Sequence, residues 1–477
     1  MPSKSPRIII SGISGGAGKT MVALGLARAF KRRGLSVKTF KKGPDYIDAA
    51  WLALAAGSPK GNLDPFFCGP DLLRALCADG SRGHDLTIIE GNRGLFDGLD
   101  LSGSCSTAEL ARIVGAPVLL VMDCTKMTRT AAALAAGCRA FEPNLPLVGA
   151  VLNRTGSERH ARLVREAVES QAGLPVFGVL PRRNEPLITE RHMGLAGVDE
   201  HGRAESLLDD LAAFLEDHLD LDAILAAARS APELPAAPLP EAAVAPSSAP
   251  SPASAPIAGP PKAGDSDRIV RLGVVMDAAL WFYYEENLAA LRAAGAEIVP
   301  LSLLDPAPWP RVDGLYLGGG LPELHVQALS ANEKRRAEVR TLAASGLPIY
   351  AECGGFMYLA ESMRVNGVDH PMAGVLPVSV AMCPRPQGLG YVEARVTAEN
   401  PYHPLGTALR GHEFHFSRAV ETGAPRFALA LSRGKGISAG SDGIVAGNLF
   451  AGYIHIYAPA APHWAPAFTA LCRRAFG

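Results

Sequence analysis

The chain has 477 residues, which is too long for one ordinary domain and predicts two or three. Hydrophobic residues make up 48% of it, and the formal net charge is −1, so the overall charge favours neither nucleic acid nor an anionic membrane as a partner. No apolar run is long enough for a membrane span or a signal peptide, and the eight cysteines form no CxxC pair. We therefore expect a cytoplasmic protein with reduced thiols.

The composition divides the chain into two halves. Residues 231–268 are nearly all Pro, Ala and Ser, and they carry too few large apolar side chains to offset the entropy cost of ordering. We predict an extended linker there, between domains at residues 1–230 and 269–477. Both domains alternate β-rich runs with helical stretches, which is typical of the α/β class.

Near-continuous apolar runs in the first half predict a parallel sheet that helices cover on both faces. Met21–Gly34 has apolar residues at helical spacing, a basic last turn and a glycine stop, and therefore predicts a helix. The predicted strands are Arg7–Ser11, Ser36–Phe40, Leu86–Glu90, Pro117–Asp123, Leu147–Asn153 and Val176–Leu180.

The second half repeats this pattern, and we expect a doubly wound sheet in each half. Later segments such as Gly390–Val396 are more typical of antiparallel strands. The apolar runs of the second half are residues 269–277, 296–302, 314–320 and 347–355.

A glycine-rich segment, IIISGISGGAGKT, begins at Ile8 and predicts a strand, a turn and a helix. In this setting Gly16 and Gly18 would let backbone N–H groups wrap a phosphate, Lys19 would reach the outer phosphates, and Thr20 would ligate magnesium. Five residues separate the first and last glycines, one more than in the usual GxxxxGK[ST] motif. The alternative is a glycine-rich turn with an incidental lysine.

KKGPDYID, at residues 41–48, follows the second predicted strand. Asp45 and Asp48 would lie at the carboxyl end of this strand, where open α/β sheets bind ligands. Carboxylates there could hold magnesium or orient an incoming group. A solvated turn with an aspartate cap is the alternative.

Polar residues also follow two later strands. Glu90 ends an apolar strand in IIEGNRGLFDG, where a magnesium ligand or a water-positioning carboxylate is common, and Asp97 lies between glycines beyond it. Arg93 could meet a phosphate or a substrate carboxylate, or it could form a surface ion pair. Asn153 suits contact with a nucleotide base or ribose, and a strand-end cap is nearly as good an interpretation.

The second half has the pattern of a thiol nucleophile. Cys353 ends a strand and precedes two glycines and a helix-like run, so a sharp turn would expose the thiol, and the helix N-terminus would lower its pKa. Backbone N–H groups near Gly354, and at Gly319 and Gly320, could hold an oxyanion. His455 follows about a hundred residues later, a separation typical of a Cys–His pair that meets only in the fold. A buried small hydrophobe and a core histidine are the alternatives.

These motifs together resemble a known family. The long phosphate loop resembles that of dethiobiotin synthetase, and with GPDYID and EGxxGLFDG it closely resembles the cobyrinic acid a,c-diamide synthase family. GGGLPE, AECGGFMYL and GHEFHFS resemble the class I, triad-type glutamine amidotransferase domain of the same group. The resemblance covers nearly all of the chain except the linker.

The resemblance implies a ligase that uses ATP and Mg²⁺ to phosphorylate a substrate carboxylate, which ammonia from glutamine then attacks. The substrate would be a tetrapyrrole amidated at its a and c acetates. The resemblance assigns the nucleotide to the loop ending in Lys19 and Thr20, and it gives no role to nucleic acid or a membrane. It implies magnesium roles for Thr20, Glu90 and Asp45, and activation or substrate roles for Asp45, Tyr46, Asp48, Arg93 and Asp97.

Two departures from the family pattern matter. The glutamate that follows the histidine by two in a full triad is absent after His455, as is general in this subgroup, so a Cys353–His455 dyad is expected. Asn92 and Arg93 stand where cobyrinate enzymes usually have Val-Met, which leaves sirohaem and nickel-sirohydrochlorin open as substrates. A cobyric acid synthase and a catalytically inactive tetrapyrrole carrier are further alternatives. The metal state of the substrate, the order of amidation and the oligomeric state, a homodimer included, also stay open.

Overall fold

The computed structural model describes residues 5–183, 190–191, 194–195, 203–234 and 269–475. The chain divides into two compact units, Met1–Leu239 and Pro240–Gly477. Nearly all of the predicted linker lies outside the described residues, so the linker and the predicted domain boundaries stay predictions. None of the helices that the structure describes is long and apolar enough to cross a bilayer.

The first unit is built on a parallel sheet. Its strands are β1 (Arg7–Gly12), β2 (Val37–Lys42), β3 (Asn62–Leu63), β4 (Leu86–Glu90), β5 (Val118–Asp123), β6 (Leu147–Thr155) and β7 (Val176–Pro181), with a small hairpin of β8 (Glu190–Arg191) and β9 (Gly194–Leu195). Its helices are α1 (Lys19–Arg32), α2 (Tyr46–Ala56), α3 (Pro70–Gly80), α4 (Thr107–Ile113), α5 (Arg129–Phe141), α6 (Glu158–Ala172), α7 (Ala204–His218) and α8 (Leu221–Arg229).

The seven strands of this sheet lie in the order β3-β2-β4-β1-β5-β6-β7. All their pairings are parallel, and β1, β2 and β4 are buried along their whole length, which confirms the predicted parallel α/β sheet. The first helix starts two residues earlier than predicted, because Gly18, with φ of 99°, is its N-cap and Lys19 and Thr20 already belong to its first turn.

The second unit has more strands. They are β10 (Val270–Val275), β11 (Leu280–Phe282), β12 (Ala296–Leu301), β13 (Gly314–Leu317), β14 (Gly319–Gly320), β15 (Ile349–Glu352), β16 (Ser362–Val365), β17 (Val368–Pro371), β18 (Val378–Met382), β19 (Gly388–Val396), β20 (Ala408–His415), β21 (Ser417–Glu421), β22 (Phe427–Arg433), β23 (Ser441–Ala446), β24 (Leu449–Gly452) and β25 (His455–Ile456). Its helices are α9 (Glu285–Ala293), α10 (Val326–Ala331), α11 (Glu333–Ala344), α12 (Gly354–Leu359) and α13 (Trp464–Ala475), with 3-10 turns at Pro322–His325 and Ala458–Ala460.

Ten of these strands form one mixed sheet, in the order β12-β10-β13-β15-β24-β23-β22-β19-β20-β25. The first five are parallel and the rest are antiparallel, so the doubly wound prediction holds only for the parallel part. The expected antiparallel segment at Gly390–Val396 is confirmed in β19, which exposes alternate side chains as one-sided antiparallel strands do. Smaller sheets join β17-β16-β18-β21 and β11-β14.

Candidate functional site

The phosphate loop of the first unit runs from the end of β1 to the start of α1. Gly16 and Gly18 have φ of 71° and 99°, a backbone region that favours glycine. A Cβ at Gly18 would lie 2.3 Å from Asn153 Nδ2, so a side chain there is also excluded by space. Lys19 Nζ donates to Ser14 O at 3.0 Å and so turns back along the loop. This arrangement presents backbone N–H groups and an ammonium to an anion.

Asn153, at the end of β6, braces this loop. Its Nδ2 donates to Ala17 O at 2.9 Å, and its Oδ1 accepts from Arg154 N at 2.9 Å. Both polar atoms of the side chain are therefore used within the protein. The side chain therefore holds the phosphate loop against β6, and the predicted contact with a base or ribose stays a prediction.

A buried charge network lies beside the loop, where β2 and β4 end. Lys41 Nζ is 2.6 Å from Asp48 Oδ2 and 2.9 Å from Glu90 Oε1. Thr20 Oγ1 donates to the same Glu90 oxygen at 2.5 Å. The second oxygen, Glu90 Oε2, is buried and has no hydrogen-bond partner among the described residues. Because buried carboxylate oxygens are almost always satisfied, this oxygen is an acceptor available to a ligand.

The network keeps Lys41 charged although its side chain is 4% exposed. Burial alone would lower the pKa of Lys41, but Asp48 and Glu90 more than offset it, and the pKa is raised. The pKa of Lys19 is lowered, because burial outweighs the attraction of Glu90. Burial raises the pKa of Glu90, and Lys41 opposes this rise. The ammonium of Lys41 is therefore the cation that balances these carboxylates.

The KKGPDYID loop brings its carboxylates to the network from the start of α2. Asp45 Oδ1 accepts from Asp48 N at 2.9 Å, so Asp45 also caps the helix, and burial raises its pKa. Tyr46, predicted to contact substrate, is 7% exposed. The predicted roles of Asp45, Tyr46 and Asp48 in activation and substrate binding stay predictions.

The loop after β4 carries the remaining predicted residues of this site. Asp97 is exposed, and its Oδ2 accepts from Gly94 N at 2.9 Å. Arg93 is exposed and has φ of 52°. Asn92 Nδ2 lies 3.1 Å from the position that a Cβ at Gly43 would take, so the unusual Asn-Arg pair borders the KKGPDYID loop.

In the second unit, Cys353 occupies a sharp turn between β15 and α12. Its φ of 47° and ψ of −99° are unusual for a residue with a side chain, which marks strain that the surrounding structure must hold. Cys353 N donates to Gly452 O at 2.7 Å, and Gly355 N donates to Gly318 O at 2.9 Å. The structure therefore has the strand–turn–helix geometry predicted for a nucleophile.

Cys353 and His455 both contact strand β20. His455 pairs in register with His412, and the two rings stack with centroids 4.6 Å apart. Cys353 Sγ contacts Phe414 O at 3.9 Å, two residues further along β20. Residues two apart on a strand are separated by roughly 7 Å. The predicted nucleophile and base are therefore brought to one place from distant parts of the sequence.

Three tightly packed glycines lie near this pair, and one of them, Gly319, packs directly against His455. A Cβ at Gly319 would lie 2.4 Å from His455 Cε1, one at Gly354 would lie 3.0 Å from Gly320 N, and one at Gly320 would lie 2.0 Å from Ala279 O. No side chain fits at these positions without displacing a neighbour. The predicted role of Gly319, Gly320 and Gly354 in holding an oxyanion stays a prediction.

Burial keeps the nucleophile and the base neutral at rest. It lowers the pKa of His455 to about 3. Burial and then Glu323 raise the pKa of the Cys353 thiol, and the N–H of Gly354 opposes this only in part. The expectation that a helix N-terminus lowers this pKa is wrong, because α12 has only 6 residues and burial outweighs it.

Two candidates, Lys41 and Glu352, stand within the quoted motifs, but the sequence analysis gives neither of them a role. Glu352 is 2% exposed. Its Oε1 accepts from Ile456 N at 3.0 Å, and its Oε2 accepts from Tyr316 Oη at 2.8 Å and lies 3.8 Å from His455 Nδ1. Burial raises the pKa of Glu352 to about 8. A glutamate that ends an otherwise apolar strand is the signal that could have found Glu352, and a lysine directly after the predicted strand Ser36–Phe40 is the signal that could have found Lys41. Such side chains need a partner when they are buried.

Within the residues that the structure describes, no three His, Cys, Asp or Glu side chains group as a metal site. Magnesium does not require such a cage, because it is commonly held by one or two carboxylates together with substrate phosphates. The Thr20 hydroxyl and the unsatisfied Glu90 Oε2 suit that mode of binding.

Comparison with protein families matches both units. Residues 8–194 match the CobQ/CobB/MinD/ParA nucleotide binding domain, and residues 271–462 match the CobB/CobQ-like glutamine amidotransferase domain. These matches confirm the predicted fold class of each unit, the binding of a nucleotide by the first, and the enzyme class, a carbon–nitrogen ligase with glutamine as the nitrogen donor.

Relatives of similar length extend the match over almost the whole chain. A cobyrinate a,c-diamide synthase of Magnetococcus marinus is 43% identical over 98% of this chain and 97% of its own. Enzymes of the same name from Syntrophotalea carbinolica and Archaeoglobus fulgidus are 40% and 39% identical, over 98% and 96% of this chain and 99% and 95% of their own. The chain belongs to the cobyrinate a,c-diamide synthase family.

Proposed function

We propose that this chain uses ATP, Mg²⁺ and glutamine to amidate the a and c acetate carboxylates of a cobyrinate-type tetrapyrrole, as a step of cobalamin biosynthesis. The observation that carries the proposal is that one chain holds two sets of reactive side chains. The set around Glu90 suits carboxylate activation, and the set around Cys353 suits glutamine hydrolysis.

In the first unit, the phosphate loop and Lys19 would bind the ATP phosphates. A carboxylate is a poor electrophile, and transfer of the γ-phosphate to it gives an acyl phosphate with a good leaving group. Ammonia then attacks the carbonyl carbon, the C–O bond to phosphate breaks, and the nitrogen loses a proton to leave the amide. Lys41, which stays charged between Asp48 and Glu90, would balance the negative charge that gathers here.

Magnesium fits the first unit at one defined place. Glu90 Oε2 is a buried acceptor that no described residue of the chain contacts by a hydrogen bond, and Thr20 Oγ1 already lies 2.5 Å from the other oxygen of this carboxylate. When bound, the ion would neutralise phosphate charge during transfer. Asp45 is the further ligand that the family resemblance implies.

In the second unit, Cys353 Sγ would attack the side-chain amide carbon of glutamine while His455 takes the thiol proton. The His455 proton then passes to the leaving nitrogen as the C–N bond breaks, which releases ammonia and leaves a glutamyl thioester. Water hydrolyses the thioester to glutamate and restores the thiol. Because both groups are neutral at rest, charge would develop only when glutamine is in place.

The names of the relatives support a cobyrinate substrate, and the Asn92–Arg93 pair favours a second candidate. This pair borders Gly43 of the KKGPDYID loop, so a change there could alter which macrocycle is accepted. Sirohaem, or nickel-sirohydrochlorin, amidated by the same chemistry is therefore the alternative.

The test is incubation of the purified full chain with ATP, Mg²⁺ and glutamine, with cobyrinic acid and sirohaem offered separately. Amide products are counted by mass spectrometry. We expect two amides on cobyrinic acid and none on sirohaem. Product from sirohaem alone would reject the cobyrinate proposal, and the Asn92→Val/Arg93→Met double variant would then test whether this pair selects the macrocycle.

A further inference from the structure

We propose that Glu352 is a positioning residue that orients His455 and supplies the carboxylate that the sequence after His455 lacks. The inference rests on the proposed glutamine hydrolysis at Cys353. The expected Cys353–His455 dyad would then be a triad. Its acid, Glu352, is the last residue of β15 and directly precedes the nucleophile.

The carboxyl group of Glu352 is fixed in place. Its side chain is 2% exposed, and each oxygen accepts one hydrogen bond, from Ile456 N at 3.0 Å and from Tyr316 Oη at 2.8 Å. Tyr316 lies on β13, which pairs with β15, and its side chain is also fully buried. Partners on two different strands therefore leave Glu352 little rotational freedom.

His455 lies against this carboxyl group by the same contacts. The bond from Ile456 N ties the residue after His455 to Glu352 Oε1, and His455 Nδ1 lies 3.8 Å from Oε2. That separation is longer than a hydrogen bond, so the two groups would be coupled by charge once His455 has taken up a proton and Glu352 is ionised. The opposite edge of the ring faces the glycines, because a Cβ at Gly319 would lie 2.4 Å from Cε1 and 3.2 Å from Nε2.

This orientation assigns a role to each ring nitrogen. A carboxylate beside Nδ1 favours the tautomer with its proton on Nδ1, which leaves Nε2 as the acceptor on the side of Gly319. When Cys353 attacks glutamine, the S–H bond breaks and an N–H bond forms at Nε2, so His455 becomes a buried imidazolium. Glu352 would stabilise that cation, as the acid of a Ser-His-Asp triad does without taking the proton.

A purely structural role is the competing explanation, since Glu352 also anchors β25 through Ile456 N. Glu352→Gln separates the two roles, because the amide oxygen can still accept from Ile456 N while the negative charge is lost. Glu352→Asp restores the charge on a shorter side chain. Asp442→Asn is the matched control, because Asp442 is another buried carboxylate that accepts backbone N–H bonds, from Tyr453 and Ile454.

The experiment measures kcat and KM for glutamine hydrolysis by the full chain from about pH 6 to 9, with ammonia-dependent amidation of cobyrinic acid in the same preparations. We expect Glu352→Gln to lower kcat by up to about 10⁴-fold with little change in KM, since loss of the acid from a complete triad has an effect of about that size. Ammonia-dependent activity should persist, and Glu352→Asp should recover part of kcat. Asp442→Asn removes a charge that also acts on Cys353, but it should leave the rise of kcat/KM near pH 8 in place.

The pH profile gives an independent test. The titratable groups that face Glu352 are Tyr283, Tyr316, Tyr350, Cys353 and His455. As pH rises through about 8 the carboxyl group of Glu352 ionises, so kcat/KM of the wild type should rise there. Glu352→Gln should lose this rising limb of the pH profile. Tyr316→Phe removes a hydrogen bond that lowers the pKa of Glu352, so the limb should move to higher pH. This second variant decides the question if Glu352→Gln does not fold.

Several outcomes would overturn the inference. Glu352→Gln could hydrolyse glutamine at the wild-type rate with the wild-type pH profile, or Tyr316→Phe could leave the limb where it was. Loss of hydrolysis and ammonia-dependent activity together, with Asp442→Asn behaving alike, would show a structural role. A wild-type chain that amidates with ammonia but never hydrolyses glutamine would instead reject the proposed glutaminase, and the inference with it.

Discussion

A glutamate ends a buried parallel strand in each unit, and the two differ in what surrounds them. Glu90, at the end of β4, is paired with Lys41, and its other oxygen has no hydrogen-bond partner in the part of the chain that the structure describes. Glu352, at the end of β15, has both oxygens occupied by neutral donors. The same local pattern therefore gives a charged site open to a ligand in one unit and a closed, neutral one in the other. The partners supplied by neighbouring strands, and not the strand itself, determine the chemistry.

The substitution with the largest expected effect, Cys353→Ala, tests whether the two sites act separately. Cys353→Ala removes the nucleophile, so glutamine-dependent amidation should fall by about 10⁴-fold or more, while ammonia-dependent amidation persists. Product formation with glutamine and with ammonium chloride, measured side by side, checks this. Cys383→Ala, in the same unit and half-buried, is the control and should change neither rate. If Cys353→Ala loses both activities in a folded protein, the contrast between the sites fails.

Glu90→Gln should have the reverse pattern. Amidation with either nitrogen source should fall by about 10²–10³-fold, because charge stabilisation at the transferring phosphate is lost, whereas glutamine hydrolysis continues. Steady-state rates of all three reactions are the measurement. Retention of ammonia-dependent amidation would remove Glu90 from the reaction.

Substitutions of Lys41 and Glu90 should also have non-additive effects on the free energy of unfolding. Lys41→Met leaves two buried carboxylates without their cation and should cost about 3–5 kcal/mol, whereas Glu90→Gln leaves Lys41 paired with Asp48 and should cost less. Removal of both side chains should cost less than the sum of the single effects. Unfolding of Lys41→Met, Glu90→Gln and the double variant by denaturant measures this. Strictly additive effects would show that the two side chains do not interact.

The sequence predicts the fold better than it predicts these partners. Strand periodicity and glycine-rich turns identify the first parallel sheet, the phosphate loop and the turn at Cys353, because these are local patterns. The pairing of Lys41 with Glu90, and the position of Glu352 against His455, depend on strand order and register, which join distant residues. The lowered thiol pKa expected at Cys353 is wrong for the same reason, since burial is a property of the folded chain.

A smaller effect is expected from a substitution at Gly319, which packs against His455. A Cβ at Gly319 would lie 2.4 Å from His455 Cε1, so Gly319→Ala should displace the ring. We expect glutamine hydrolysis to fall by about 10²-fold, since small misplacements of a catalytic group cost that much. Ammonia-dependent amidation should hardly change. Gly137→Ala is the control, because a Cβ there would meet no described atom outside its own helix backbone within 4 Å. Equal rates for both variants would contradict the packing argument.

The smallest expected effect is on how the free energy of unfolding depends on pH. Burial raises the pKa of Glu352 to about 8 in the folded chain, from an ordinary value of 4.5, so the folded state holds the proton more tightly. The resulting stabilisation is complete below about pH 4.5 and is lost as pH rises through about 8. The loss is at most about 1.4 kcal/mol per pH unit for one group.

Between pH 7 and 8 this fall should belong mainly to Glu352. The raised pKa values of Asp442 and Glu323, about 6 and 7, act at lower pH, and the lowered pKa of His455 acts below its ordinary value of 6.5. Denaturant unfolding followed by tryptophan fluorescence suits the measurement, because three of the four tryptophans, Trp281, Trp309 and Trp464, lie in the second unit. Glu352→Gln should flatten the fall in this range. An unchanged slope would mean that Glu352 is not protonated in the folded chain, and the contrast with Glu90 would then rest on geometry alone.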